Sequence, residues 1–234
     1  MGGRGSSSKQ TVRYGANEAQ EKTVNKIAKQ TANLKNEQRR IIDENGNVVA
    51  EAKGSAHDVA LTVGVMREFG KGAVDIHNHP EGGTFSAPDM KSFGYGVKEI
   101  VVSTPEGVYR LIRATEKMPE WVKMRDALEA IPETSLVGLI KKSQENMSNS
   151  PSARAIQKIS EKWAQIKDTK GIAEANEYLA NNKERYDSFV AKHREEVKQE
   201  QRRLEVEPYD KTLKQHAKEY GFIYRFEPWK KKSQ

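Results

Sequence analysis

The chain has 234 residues, enough for one well-cored domain of about 100–150 residues and an appendage. Hydrophobic residues make up only 35% and charged residues 31%, so part of the chain is expected to be helical and solvated instead of packed into a core. With no cysteine, disulfides and thiolate zinc sites are excluded, and any metal must use His, Asp or Glu. The net charge of +7 permits a nucleic-acid or acidic partner without establishing one. No apolar run reaches about 18 residues, and the N-terminus has no apolar signal core, so no membrane span and a cytoplasmic location are expected.

Residues 1–16 are rich in Gly and Ser and read as a disordered tail. Residues 17–33 are polar, with Val24 and Ile27 near helical spacing, which predicts a short helix. The runs 37–44 and 47–53 meet at Asn45-Gly46; both turn residues tolerate positive φ, so the pair predicts a β-hairpin. Residues 55–69 carry Val59, Val63 and Met66 at helical spacing before Gly70-Lys71-Gly72, which favours a helix. Over 73–79 the pattern alternates. Val74 and Ile76 face one way and Asp75, His77 and His79 the other, as on a strand. After a glycine-containing loop, 80–85, Ser86 and Asp89 read as a helix start with Ser86 as N-cap. Residues 97–103 and 107–113 form a second predicted hairpin around Thr104-Pro105-Glu106-Gly107. Strands and helices mixed in this order from 34 to 114 define an α+β domain.

Beyond residue 114 the pattern turns helical: 116–131, 136–147, 152–167, 172–181 and 183–204, with breaks at Pro132, Ser148–Pro151 and Gly171. The stretch 183–203 alternates in charge, the mark of a solvated helix face. A last helix, 211–220, ends at Gly221. Phe222, Tyr224 and Phe226 then alternate, giving a short terminal strand one aromatic face that must dock on something. The expected organisation is a tail over 1–16, an α+β domain over 17–114, and a helical region over 115–234 with a short aromatic end.

The segment carrying chemistry is His77-Asn78-His79-Pro80, followed by Ser86 and Asp89. Strand residues two apart point to one side, so His77 and His79 present two imidazoles to one ion; a helix would not do this. The glycine loop can return Asp89 to the same place. Two His and one carboxylate suit Zn²⁺ with an open fourth position. Each residue also has a plainer use: the histidines on an edge strand, Asp89 and Ser86 in helix capping, Asn78 as a solvent-facing strand residue. His57, His193 and His216 match no motif and read as ordinary polar residues. Trp121, Trp163 and Trp229 read as core or interface anchors.

The string from His77 to Asp89, HNHPEGGTFSAPD, resembles the H-x-H-P, loop, S-x-x-D metal motif of the JAB/MPN metallopeptidase superfamily. The His-Asn-His-Pro form is most similar to the RadC-type and phage-associated branch, and the short loop matches the phage members. The start of the chain, Met1–Ser8, also resembles those of phage and mobile-element proteins. The resemblance covers residues 34–114 and implies a JAB/MPN-like mixed sheet flanked by helices. It implies Zn²⁺ on His77, His79 and Asp89, a Glu as general base, and Ser86 as an oxyanion donor. Glu37, at the opening of the first hairpin strand, is the first candidate for the base; Glu44 and Glu51 are its rivals.

Three functional readings follow. The first is a zinc hydrolase cutting a peptide or isopeptide bond in a protein or peptide substrate. The second is an assembly or phage-particle component, with the helical half as partner surface and the metal structural or vestigial. The third is a basic, RadC-like DNA-associated protein. Only Lys230-Lys231-Lys232 makes a pure basic run, so the sequence gives this last reading little support.

Overall fold

A computed structural model describes residues 14–56, 58–132 and 136–230. Of the expected tail over 1–16, residues 1–13 lie outside the described residues, as do His57 and the last two lysines of the basic run, while Ala16 is buried with its N–H on Glu99. The chain divides into two compact units, one of residues up to 131 together with those from 209, the other of residues 132–208.

In the first unit the helix α1 (Glu18–Thr31) starts at a capping box. Asn17 accepts from the Gln20 N–H at 3.0 Å, and Gln20 accepts from the Asn17 N–H at 3.1 Å. Strands β1 (Gln38–Ile42) and β2 (Val48–Lys53) form the expected hairpin. Its turn differs from the expected one. Gly46 alone takes positive φ, +82°, while Asp43 accepts the N–H groups of Asn45 and Asn47 and shapes a longer loop. The register shifts between Ile41 and Ile42 to absorb it.

The expected helix over 55–69 is shorter in the structure. Helix α2 covers only Val63–Phe69, because Thr62 caps it at the Val65 N–H and the backbone of Ser55 turns back to Asp58. Strand β3 (Val74–Asn78) pairs antiparallel with β1 and parallel with β4 (Glu99–Ser103). The β3–β4 connection runs through a 3-10 helix, Pro88–Tyr95, which ends at Gly96 with φ +88°. Strand β5 (Gly107–Arg113) completes the second hairpin, and helix α3 (Trp121–Glu129) follows.

The aromatic terminal segment belongs with this unit, not with the helical region. As β6 (Phe222–Pro228) it pairs antiparallel with β5, so the sheet has six strands in the order β2-β1-β3-β4-β5-β6. It is a mixed sheet with helices on both faces. One face buries Ile42, Val74, Ile76 and Val101 against Val24, Ile27 and Ala28 of α1. The other buries Ile41, Phe85, Met90, Phe93, Ile100 and Phe222. Phe85, Phe93 and Phe222 are fully buried, each worth about 1.5–3 kcal/mol by area removed from water.

The second unit is helical, as expected: α4 (Leu136–Met147), α5 (Pro151–Lys170), α6 (Ile172–Asn181) and α7 (Lys183–His216) up to residue 208. Ser150 caps α5 at the Ala153 N–H, with Pro151 at the first helical position. Ser152 donates to Glu196 and Asn146 to Glu200, tying α5 and α4 to α7. The sequence predicts a break between 204 and 211; the helix instead continues through Pro208 to His216. No described helix is long and apolar enough to cross a membrane.

Candidate metal centre

Alternation along β3 sorts its side chains as the sequence pattern expects. Val74 and Ile76 pack toward α1, while Asp75 and His77 face the other layer. His77 is buried at the end of the strand, and His79 follows as the chain leaves the sheet. Asp89 sits in the first turn of the 3-10 helix, delivered by the loop 80–87. His77 Nε2 lies 3.1 Å from His79 Nε2 and 3.2 Å from an Asp89 carboxylate oxygen. One ligand atom from each of the three lies within 4.8 Å of the others, so the cluster can hold a metal ion.

The two Asp89 oxygens have separate tasks. Oδ1 faces His77, and Oδ2 accepts both the Ser86 N–H and the Ser86 hydroxyl at 2.7 Å. Only half of the expected capping is present: Asp89 accepts from the Ser86 N–H, but the Ser86 hydroxyl donates to Asp89 instead of accepting from the helix. Burial opposes the Asp89 charge, but His77 beside it holds the carboxyl well below the usual range. His79 is pushed down to about 4, first by burial and then by His77, so it presents a neutral ring. Burial lowers His77 too, yet the Asp89 carboxylate outweighs it and raises the pKa. The backbone of Gly83 and Thr84 bonds the His79 ring.

Of the three Glu candidates, only Glu37 lies at the ligand end of the sheet on the ligand face. It is buried beside β1, and its N–H and C=O pair with Ser55 and Gly54. Arg39 stands opposite His77, and strand alternation puts Glu37 on the same side as Arg39. Glu51 pairs with Arg40, whose register partner is Ile76, and so faces the other layer. Glu44 sits in the hairpin turn beyond Ile42, which pairs with Val74 at the far end of β3.

Several supporting residues escaped the sequence reading. Asn78 is not solvent-facing. It is fully buried; its side chain accepts from the Gln38 N–H at 2.7 Å and donates to the Asn36 carbonyl at 3.2 Å. Arg39 bonds both oxygens of buried Asp75, and Ser92 donates to Asp75 at 2.6 Å. This ties β1 and β3 to the 3-10 helix that carries Asp89. Alternation already put Asp75 on the ligand side, but its partners are distant in sequence. Thr84, in the ligand loop, bonds the Tyr224 hydroxyl at 2.9 Å, and Tyr224 donates to Asp210 at 2.7 Å.

The other motif-free residues are placed as structure. His193 lies near Ser150 and Glu196, and His216 stacks on Tyr220. Trp121 packs on the sheet core, and Trp229 donates to the Thr104 carbonyl. Comparison with protein-family models, curated proteins and solved structures finds no match for this chain.

Proposed function

We propose that the chain is a zinc-dependent hydrolase of JAB/MPN type that cuts a peptide or isopeptide bond. The observation that carries this reading is the convergence of two imidazole nitrogens and one carboxylate oxygen at 3.1 and 3.2 Å. A tetrahedral zinc with bonds of about 2.0–2.1 Å holds its ligands about 3.3 Å apart, so His77 already stands at nearly the required spacing from both other donors. Three protein ligands leave one position open, the pattern of catalytic and not structural sites. The placing of an H-x-H strand, an S-x-x-D turn and a hairpin on one mixed sheet supports the JAB/MPN-like fold.

Bound there, Zn²⁺ supplies Lewis acidity to an amide carbonyl and to an attacking water. Glu37 takes the proton of that water on a carboxylate oxygen and delivers it to the leaving amine. Asn78 fixes the backbone on either side of Glu37. The hydroxyl proton of Ser86 is engaged by Asp89, so Ser86 serves first to aim that ligand and becomes an oxyanion donor only by turning from it.

The test is elemental analysis of purified protein beside folded His77→Ala and Asp89→Ala variants. About one zinc per chain is expected, lost in both variants. Zinc-loaded protein is then screened on peptide and lysine-isopeptide libraries, with Glu37→Gln as the zinc-retaining, inactive control. Failure to take up zinc, even when it is added back, would refute the reading.

A further inference from the structure

In the second unit, three helices each aim one pair of residues, four apart, into a shared cleft. Helix α5 supplies Arg154 and Lys158, α6 with its cap supplies Tyr178 and Asn182, and α7 supplies Arg185 and Phe189. Residues four apart share a helix face, so the spacing itself builds the walls. Pro151 and the buried Ile159 also line the cleft, whose volume is about 410 Å³. That is within the range of small-ligand sites, roughly 300–1,000 Å³.

The lining has one sign of charge. Helices α5 to α7 carry Glu161, Glu174, Glu177, Glu184 and Asp187, yet no carboxylate lines the cleft. Some cations elsewhere in the unit do have carboxylate partners: Lys183 with Asp187, and Arg203 with Glu200 and Glu207. Among the described residues, Arg154, Lys158 and Arg185 have no carboxylate partner. Arg185 lies over Phe189 instead, 5.6 Å from the ring centroid. The first turn of α5, the positive end of that helix, opens on the same space. Like charges gathered without a counter-charge repel, and an anion relieves this. Phosphate meets such a set with several charge-assisted bonds. The rings of Tyr178 and Phe189 add flat faces, which an acidic peptide does not use and a nucleobase does.

We infer that this cleft binds a nucleotide, free or as one unit of a single strand. Its phosphate lies on Arg154, Lys158 and Arg185, and its base lies against Tyr178 or Phe189. This inference stands apart from the metal centre and does not depend on it.

The test uses the full chain and a fluorescent oligothymidylate followed by anisotropy at low salt. Competitors are ATP, inorganic phosphate and oligoglutamate. Saturable binding is expected, weakening as salt rises. Arg154→Glu combined with Arg185→Glu should weaken it at least about tenfold. Lys26→Glu, a reversal on α1, should leave it within about twofold. Tyr178→Ala, with helix content unchanged by circular dichroism, should weaken it about fivefold or more. Displacement by ATP identifies a free-nucleotide site, and displacement by unlabelled oligonucleotide alone identifies a single-strand site; both uphold the inference. It is overturned by absence of binding at the lowest salt or by indifference to the Arg154 and Arg185 reversals. It is equally overturned by indifference to Tyr178→Ala, or by oligoglutamate competing as well as the nucleotides.

Discussion

The side-chain amide of Asn78 bonds the backbone on both sides of Glu37, accepting from Gln38 and donating to Asn36. One residue of the H-x-H motif thus sets the position of the proposed base while its two neighbours set the ligands. Asn78→Ala removes two part-buried hydrogen bonds to the backbone of Gln38 and Asn36, each worth about 0.5–1.5 kcal/mol. Zinc content should stay near one per chain, because the ligands are untouched. Turnover of any substrate found should fall about 10- to 100-fold, the usual range for loss of a supporting residue. Zinc lost along with turnover would show that Asn78 supports the ligands and not the base.

Metal uptake should follow the His77 proton. In the metal-free protein Asp89 raises His77 above its ordinary value of 6.5, against the effect of burial, while His79 sits near 4 and is already neutral. Below the raised His77 pKa each zinc displaces one proton, so the logarithm of affinity should rise by about one per pH unit and level off above it. Calorimetric zinc titrations in buffers of different ionisation enthalpy would read the proton count. The stability of the metal-free protein should move the other way. The raised His77 contributes fully below pH 6.5 and loses that contribution as pH rises through its folded value. The lowered Asp89 contributes above about 3.8 and loses it as pH falls. His79 acts oppositely: lowered to about 4, it costs stability as pH falls from 6.5 toward 4. Thermal melts in chelator should therefore peak near pH 6.5 and fall on both sides. A flat profile there would mean that the His77–Asp89 pair adds nothing.

What could be read from the sequence was what local periodicity encodes. The period-two pattern over 73–79 put Asp75, His77 and His79 on one side, and the return of Asp89 needed only a loop of the right length. The Asn45-Gly46 hairpin was legible as a turn, though not its geometry, because Asp43 redirects the loop. What could not be read were partners far apart in sequence. Phe222, Tyr224 and Phe226 alternate visibly, but nothing local says that they pair with β5. Asn78 looks solvent-facing because the groups it bonds, at Asn36 and Gln38, lie at the start of β1, far away in sequence. Helix α7 runs through Pro208 where a local rule sets a break, since one missing N–H does not end a helix of 34 residues.

Arg110 carries a separate expectation about stability. It is buried in β5 and bonds Glu99 of β4 and Glu21 of α1, each at 2.7 Å. Glu99 is equally buried, and its other bond is to the Ala16 N–H. Arg110→Met should destabilise the first unit by about 3–5 kcal/mol, because Glu99 is left as an uncompensated buried charge. Combining it with Glu99→Leu should recover most of that loss, since no unpaired charge then remains. Chemical denaturation of the single and double variants would decide. If the double variant is no better than Arg110→Met, the pair's worth lies in packing and not in charge.

The Tyr224 hydroxyl links the terminal strand to the ligand loop. It donates to Asp210, so the Thr84 hydroxyl must donate to it, and the backbone of Gly83 and Thr84 in turn bonds the His79 ring. Strand β6 therefore supports the loop that aims one ligand. Tyr224→Phe keeps the ring against Phe85 and Tyr109 and removes the hydroxyl's bonds to Thr84 and Asp210. It should cost about 1 kcal/mol of stability and about tenfold in zinc affinity. Thr84→Val should do nearly the same. The double variant should be little worse than either single one, because both changes break one connection. Zinc titrations of the four proteins test this directly. Additive losses in affinity would mean that Thr84 and Tyr224 act on the site separately, and that β6 supports the core without setting the position of His79.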